Sequence, residues 1–418
     1  MRLPEVLRNK DFDLYWAGVI LSQIGTRGAV AANLFQVYVL TGSTAQVGLV
    51  GLAQVVALVV LSPLGGVVAD RMDRRRLLQW TQGIALVVSA ALAAVTIAGI
   101  ATAWMVVVSA LLATAAATFD QPARQALIPA LVPKDRLVDA FALLNPSREL
   151  AVLVGPALAG VFIAAWGAGS VYVFDAVTYA ALVGTLMMIR TPPLIPDKPH
   201  AGVWESLREG TAYVVRRPLI WQLMALDLSA TIFGAYRVLL PALTLDVLHA
   251  GATGYGLMSA APSAGALLGS ALVFKLVRSR RSGVIALVST AIYGLVIVGF
   301  VHMTSFGPAL VLAALLGVAD ALATTVRHAA VQVETPDGLR GRVSAIYQMA
   351  SRGGPALGDT VIGAAASALG PVAALTIGGL VPVAASLVSW VAGPTVRNYS
   401  LTDPDADEEP DEDRAAAA

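Results

Sequence analysis

The sequence predicts an all-α polytopic membrane protein, with twelve transmembrane helices in two pseudo-symmetric six-helix halves. Three observations predict it. Of 418 residues, 57% are hydrophobic and 13% charged, where a soluble domain carries about 25% charged residues; the mean hydropathy is +0.74. Runs of more than about 18 residues with at most one or two ionisable groups recur along the chain, each long enough to cross ~30 Å of hydrocarbon. These runs are continuous, unlike the ~10-residue alternating segments of a membrane β-barrel. Finally, the second half of the chain repeats landmarks of the first.

Loop signals cut the chain into spans near 14–40, 45–70, 77–99, 102–127, 138–166 and 169–190, then 217–246, 252–276, 283–302, 306–330, 342–368 and 371–394. The first span follows MRLPEVLRNKDFD, which is too charged for a cleaved signal peptide. Spans 2 and 3 are separated by Arg71, Arg74, Arg75 and Arg76, and spans 4 and 5 by Lys134 and Arg136. Between spans 6 and 7 lie Lys198, Arg208, Arg216 and Arg217; Arg278, Arg280 and Arg281 follow span 8, and Arg340 and Arg342 follow span 10. The alternate loops, TGST, IATA, GAGS, LHAGATG, HMTSFG and ALGP, contain no lysine or arginine. That asymmetry places both termini in the cytoplasm and requires an even number of spans. Trp16, Trp80, Trp104, Trp166, Trp221 and Trp390 fall near predicted span ends, as an interfacial belt requires.

The domain reading follows. Residues 1–190 form the first half, 191–216 a cytoplasmic linker, 217–394 the second half and 395–418 an acidic tail. In the linker, TPPLIPDKP is extended, and Val203, Trp204, Leu207, Val214 and Val215 share one flank of an amphipathic helix expected on the inner membrane surface. The tail, LTDPDADEEPDEDRAAAA, is expected to be disordered and solvated.

Composition also excludes functions. There is no cysteine and the four histidines are scattered, so thiolate chemistry and a metal site are not expected. A net charge of +1 predicts no nucleic-acid partner. No G-x-x-x-x-G-K, no H-E-x-x-H and no plausible Ser-His-Asp set is present, which argues against an ATP-driven pump or a membrane enzyme. Twenty-four arginines against four lysines, with abundant alanine, suggest a GC-rich bacterial source.

The repeat is visible in residues. A shift of 204 carries Gly65-Gly66, Arg71, Arg74 and Arg76 onto Gly269-Ser270, Lys275, Arg278 and Arg280. A shift of 203 carries Arg124 and Pro133 onto Arg327 and Pro336, and one of 199 carries the Gly-Pro-Ala-Leu of 155–158 onto that of 354–357. Two parallel halves about a membrane-normal axis place a substrate site at the midplane between them.

These motifs resemble the major facilitator superfamily. Gly66, Asp70, Arg71, Arg74 and Arg75 match its loop signature G-x-x-x-D-R-x-G-R-[RK], with Asp73 where glycine is usual. Gly155, Pro156 and Gly160 match the fifth-helix antiporter signature, with Ala151 and Ala159 replacing two glycines. LRNKDFDLYWAGVILSQIG, FDQPARQALIPALVPKDRL and TPDGLRGRV resemble the proton-coupled drug and siderophore exporter branch that includes macrolide efflux proteins and the enterobactin exporter. The resemblance implies the major facilitator fold over residues 5–394, a cavity lined by spans 1, 4, 7 and 10, and proton antiport without a cofactor. It also implies a monomer in a bacterial inner membrane, with the bilayer and a small-molecule substrate as its partners.

A charge in hydrocarbon costs at least ~2.5–3.5 kcal/mol, so each embedded one needs a reason. Asp120 and Arg124 are spaced i,i+4 on span 4 and pair on one face, with Asp70 a second partner for Arg124. Arg327 and Asp320 repeat the theme on span 10. Arg148 and Glu149 point about 100° apart on span 5, so one faces the cavity and the other a helix; Arg352 sits comparably on span 11. Arg27 lies near mid-depth of span 1 with Gln23, Asn33 and Gln36, and Asp227, Tyr236 and Arg237 match it on span 7. Proton-coupling candidates are therefore Asp227, Glu149, Asp175 and Asp120. For each the alternative is an ion pair or a packing contact; for Asp227 it is a cross-helix arginine. Cavity candidates are Arg27, Gln23, Asn33, Gln36, Arg148, Arg237 and Arg352, with Phe35, Tyr38, Phe119, Phe233, Tyr236 and Tyr347 as aromatic grips. The gating set is Gly66, Asp70, Arg71, Arg74, Arg75 and Arg124, with Asp70 the latch of an outward-open state.

The function expected is secondary export of an amphipathic small molecule, drug or siderophore-like, by proton antiport and alternating access. Six embedded arginines lean the substrate toward anionic or oxygen-rich groups. The alternative is a facilitator or importer of a small polar solute.

Overall fold

Local chemistry sets where each helix begins and ends. In the computed structural model, residues 9–189, 203–276 and 281–401 are described, with side chains for all but 62–67, 69–71, 203–207 and 271–276. Asn9 caps span 1 (Lys10–Thr41) by accepting from the Asp11 and Phe12 amides at 3.1 and 3.4 Å. Gly42, left-handed at φ 62°, ends it. Ser43 then caps span 2 (Thr44–Arg71). Asp73, the departure from the signature glycine, caps span 3 (Arg74–Ile97), its carboxylate accepting from the Arg76 amide at 2.9 Å.

Spans 4, 5 and 6 are Ala103–Leu131, Leu137–Trp166 and Ala168–Met188. A surface helix, Val203–Arg216, precedes span 7 (Pro218–Val247). Spans 8 to 12 are Gly251–Leu276, Ser282–Val301, Phe306–Val333, Asp337–Leu369 and Pro371–Ala392. Among the described residues nine of these helices are long and apolar enough to cross a membrane by composition alone. Spans 1, 8 and 11 complete the set; span 1 starts with Lys10, Asp11 and Asp13, span 11 contains Arg340, Arg342 and Arg352, and span 8 is rich in glycine, alanine and serine. The lipid-facing surface is apolar, with Val87, Val177, Leu268 and Val391 exposed, and Trp80, Trp104 and Trp166 stand exposed near helix ends. The chain is a twelve-helix multi-pass membrane protein. We call the end that carries the basic loops the inner end and the opposite one the outer end.

Within each half, helices pack in the same pattern: spans 1, 5 and 6 form one wall and spans 2, 3 and 4 another, with spans 8, 9, 10 and 12 grouped likewise. The halves meet along two seams, span 2 on span 11 and span 5 on span 8. The repeated Gly-Pro-Ala-Leu explains part of this. A methyl on Gly155 would come within 2.7 Å of the Ile24 carbonyl and of Arg27 Cβ on span 1. One on Gly354 would come within 2.6 Å of Thr231 on span 7. The same motif thus seats span 5 against span 1 and span 11 against span 7.

Three elements differ from the sequence reading. Span 7 is not continuous. It runs α-helical over Pro218–Leu228, widens to a π-turn over Ser229–Phe233, breaks at Gly234, and resumes as a 3₁₀ turn over Tyr236–Leu239. Pro241 lacks the amide that a continuous helix would bond to the Arg237 carbonyl, and the Tyr293 hydroxyl takes up the Gly234 carbonyl at 3.3 Å. The surface helix docks on protein: Val214 is buried with Ile220, Val331, Val343 and Ile346, Tyr213 donates to the Glu334 carbonyl at 2.8 Å, and Glu209 pairs with Arg342. Val215 points outward, 67% exposed, whereas the side chains of Val203, Trp204 and Leu207 lie outside the described residues. Lastly, the start of the expected tail is folded. Val396 is fully buried with Leu219, Leu287 and Val326, and the Gly283 amide bonds the Tyr399 carbonyl at 3.0 Å, because two apolar side chains have a groove between spans 7 and 9 to fill. Residues 402–418 and the linker stretch 191–202 lie outside the described residues.

Candidate functional site

The hydrophobic cores show which end of the molecule is closed. One core joins both halves at the outer end, running from Ala32, Phe35 and Val47 to Leu239, Tyr255 and Leu375. At the inner end the cores are separate. One belongs to the first half, with Phe12, Leu127 and Leu186; two belong to the second, around Leu223 and Val343. The two halves are therefore sealed outside and parted inside. A cleft of ≈ 440 Å³ enters between them, lined by Gln121 and Gln125 of span 4, Leu58 of span 2, and Ser344, Gln348 and Arg352 of span 11.

The outer seal is built from glycine contacts and aromatic rings. A methyl on Gly160 of the antiporter motif would lie 2.6 Å from the Gly256 Cα and 2.8 Å from the Ala252 carbonyl on span 8. The pseudo-equivalent seam has Gly363 against the Thr44 carbonyl and Gly48. Phe35 stacks on Tyr255 at 5.2 Å, whose hydroxyl donates to the Ala31 carbonyl at 2.8 Å, and the Tyr38 hydroxyl bonds Asp246. Phe35 and Tyr38 thus lie in the seal. Tyr236 packs on Phe300 beside them, and Phe233, at the break of span 7, is 38% exposed.

Below the seal lies a set of arginines. Arg27 of span 1, Arg148 of span 5, Arg237 of span 7 and Arg352 of span 11 fall within electrostatic reach of one another, with Glu149 among them. Helices 1 and 7 are related by the repeat, as are 5 and 11, so the set surrounds the pseudo-axis. Arg27 and Arg352 are exposed although each sits at mid-helix in the membrane, which is how side chains around a water-filled cavity behave. Gln23 is half-buried one turn from Arg27. Arg237, at the break of span 7, bonds Asp359 at 2.9 Å and keeps 43% of its side chain exposed. Arg27, Arg148 and Arg352 form no ion pair with a described carboxylate.

Of the other embedded charges, Asp120, Arg124, Asp227 and Arg327 are paired in place, and Asp175 is not. Asp120 and Arg124 pair on span 4, and Asp120 also accepts from Gln82 at 2.8 Å and Thr81 at 3.2 Å. Asp227 is not alone: Arg327 of span 10, 1% exposed, bonds it at 2.7 Å and lies 3.8 Å from Asp320. Asp320 itself is 55% exposed beside Thr324. Asp175 is buried on span 6, accepting from Ser89 at 2.8 Å.

Four candidates sit away from the cavity in this conformation. Asn33 and Gln36 point into the first half, Gln36 accepting from Tyr172 at 2.7 Å and donating to Thr96 at 3.1 Å. Phe119 packs on the inner core of the first half. Tyr347 is 1% exposed, edge-on to His328 at 4.7 Å. In the gating set, Arg75 donates to the Leu186 and Met187 carbonyls at 2.6 and 2.8 Å and so caps the inner end of span 6, while Arg74 ties span 3 to span 4 by donating to the Ala126 carbonyl at 2.9 Å. The side chains of Gly66, Asp70 and Arg71 lie outside the described residues. Sequence reasoning gave no roles to Asp359, Asp246 and Gly256; each acts through a partner more than 95 residues away, which no local spacing reveals.

Comparison with known proteins agrees with this architecture. The profile of the family described as "Transmembrane secretion effector" matches residues 5–411. An enterobactin exporter, EntS, of Citrobacter koseri is 29% identical over 391 residues, covering 90% of each chain. The protein of that name from Salmonella typhi is 28% identical over 388 residues, covering 89% of each. Among solved structures, a POT family transporter in complex with 5-aminolevulinic acid superposes with a TM-score of 0.74 at 13% identity, over 93% of this chain and 97% of that one. The nucleoside transporter NupG superposes with 0.72 at 14% identity, over 90% and 98%. At such identities the structural likeness speaks for the fold alone.

Proposed function

Because the chain belongs to the transmembrane secretion effector family, membrane transporters of the major facilitator fold and not enzymes, we propose that it exports an anionic or oxygen-rich amphipathic small molecule of the siderophore kind, in exchange for inward-moving protons. The observation that carries this reading is the arginine set. Three guanidiniums without an ion-pair partner, outnumbering the one carboxylate in reach (Glu149) and gathered at mid-membrane below a sealed end, are expensive unless a ligand of opposite charge completes them. A catecholate or carboxylate ligand would accept forked, charge-assisted hydrogen bonds from them. The relatives named enterobactin exporters support the same chemistry.

In this reading the inner end faces the cytoplasm of a bacterial inner membrane, as the basic loops require. Both termini are then cytoplasmic. The substrate enters through the cleft between spans 2, 4 and 11 and settles among Arg27, Arg148 and Arg352, with Arg237 at the broken helix above it. Discontinuous helices at the midplane suit this task, since they leave backbone groups and a mobile joint beside the ligand. The halves then rock about the pseudo-axis. The Gly160–Gly256 and Gly48–Gly363 seams part while the inner ends close, and the substrate leaves outside. The Asp70 latch belongs to that closed inner end. No cofactor takes part; the proton gradient supplies the work, and one chain in its bilayer suffices.

Everted membrane vesicles test this. With an acid interior, they should accumulate radiolabelled enterobactin when the protein is present and lose it on adding a protonophore. Absence of accumulation would remove the substrate class, and accumulation insensitive to the protonophore would remove antiport.

A further inference from the structure

We infer that the first six-helix half contains a small water-holding chamber at the buried Asp175, and that this chamber, not the central cavity, carries the exchanged proton. The inference deepens the antiport reading above and rests on it for its biological meaning.

Four buried carboxylates lie within the described parts of the spans, and three of them, Asp120, Asp227 and Asp359, each bond an arginine. Asp175 is the fourth. It is 4% exposed, and no cation pairs with it among the described residues. Ser89 donates to its Oδ2 at 2.8 Å and the Thr26 hydroxyl lies within reach of the carboxyl, whereas Oδ1 has no hydrogen bond of good geometry. Beside it is a small void of ≈ 30 Å³ among spans 1, 3, 4 and 6, where Asn33, Ser89, Ser109, Tyr172 and Tyr179 join Asp175 among apolar neighbours such as Val88 and Leu92. The Asn33 side-chain oxygen is also buried and unpartnered. Two acceptors without donors border a void larger than the ~10–15 Å³ that one water requires, and they supply the polar contacts that hold it. A water there, together with a proton on the carboxyl, satisfies both.

The surroundings favour a proton over a fixed charge. The titratable groups facing Asp175 are Tyr172 and Tyr179 of its own helix. Spans 1, 3 and 4 present only Thr26, Asn33, Ser89 and Ser109, all neutral. A lone carboxylate buried in such a place costs several kcal/mol, so Asp175 holds the acid form here.

The chamber and the cavity share a wall. Span 1 carries Arg27 on its cavity side, and Gly25, Thr26 and Asn33 beside the chamber. A methyl on Gly25 would fall 2.9 Å from Asp175 Oδ1, so the backbone of span 1 lies directly on the carboxyl. The Thr26 hydroxyl bonds Tyr179 at 2.9 Å and the Ser22 carbonyl at 2.8 Å; Ser22 bonds Gln82 at 3.3 Å, and Gln82 bonds Asp120. A string of polar groups thus leads from the chamber toward the Asp120–Arg124 pair. When substrate draws on Arg27 and span 1 shifts, the chamber hydrates. The Asp175 O–H bond then breaks, its electron pair stays on the carboxylate, and the proton leaves to water at the inner end. Water from the outer side returns a proton in the opposite state.

Infrared difference spectroscopy of the purified full-length protein reads this directly through the C=O stretch of a protonated carboxyl. The wild type should show the band near neutral pH. Asp120→Asn should keep it, Ser89→Ala should shift it by removing one hydrogen bond, and Asp175→Asn should abolish it. A band that persists in Asp175→Asn, that is missing from the wild type, or that disappears when sodium replaces potassium would overturn the proposal, the last by placing a metal cation in the chamber. In proteoliposomes, Asp175→Asn should retain enterobactin counterflow while gradient-driven accumulation falls at least tenfold. Gradient-driven accumulation undiminished in that variant removes Asp175 from coupling. Gradient independence in the wild type removes antiport itself, a separate failure that the spectrum does not share.

Discussion

Gly160 offers the sharpest test of the outer seal. A methyl placed on it would lie 2.6 Å from the Gly256 Cα and 2.8 Å from the Ala252 carbonyl. Both obstacles are backbone, so no side-chain rotation relieves the clash. Spans 5 and 8 must separate by about 1 Å, and overpacking of this kind costs about 1–3 kcal/mol. Because the seam is tight only while the outer end is closed, nearly all of that cost falls on the sealed state. The ratio of sealed to open molecules should drop by roughly 5–150-fold. Gly160→Ala should sit at the low end of that range and Gly160→Leu at the high end. The chain has no cysteine, so a single reporter suffices. Ala31→Cys, 6% exposed within the seal, should react slowly with a membrane-impermeant maleimide applied from outside. Adding Gly160→Leu should speed labelling by the same factor that the population shifts. Unchanged labelling, with the protein folded by size-exclusion chromatography, would refute the argument that this seam closes the outer side.

Three further outcomes follow from the embedded charges. Asp227→Asn leaves the buried Arg327 without its nearest counter-charge, so about 3–5 kcal/mol of stability should be lost; the double change with Arg327→Gln should recover part of it in thermal unfolding of the detergent-solubilised protein. The Arg237–Asp359 pair should be lopsided, since Asp359 is 3% exposed and Arg237 43%. Arg237→Gln strands a buried carboxylate and should lower the unfolding midpoint well below that of Asp359→Asn, which frees a cation already facing water. Arg27→Gln, Arg148→Gln and Arg352→Gln should each weaken enterobactin binding by about 10- to 150-fold, the worth of a hydrogen bond to a charged group, measured by tryptophan quenching; equal affinity in all three would show that the ligand does not sit among these arginines.

Much of this molecule was legible because the membrane imposes local rules. Span lengths, the basic loops and the i,i+4 pair of Asp120 and Arg124 all follow from neighbours in sequence. What was not legible depends on which helix lies across the gap. Asp227 reads as an isolated carboxylate until span 10 brings Arg327 to it. Asn33 and Gln36 read as cavity groups because they share a helix with Arg27, yet a helix has several faces, and span 6 takes that one through Tyr172. The break in span 7 had a visible cause in Gly234 and Pro241, but the consequence needed the partners Tyr293 and Asp359.

The same contrast bears on how transport is driven. Repeated motifs such as Gly-Pro-Ala-Leu are symmetric, so they set the same close helix packing in both halves. Charges are distributed unequally. The first half keeps Asp120 and Arg124 on one helix and leaves Asp175 without a cation, whereas the second spends its carboxylates on Arg237 and Arg327. An antiporter needs a moving scaffold and one group whose charge changes as it moves. Under the proposed antiport, the close glycine seams are where the halves would move, and the unequal charges leave the first half, through span 1, as the place where proton and substrate would meet.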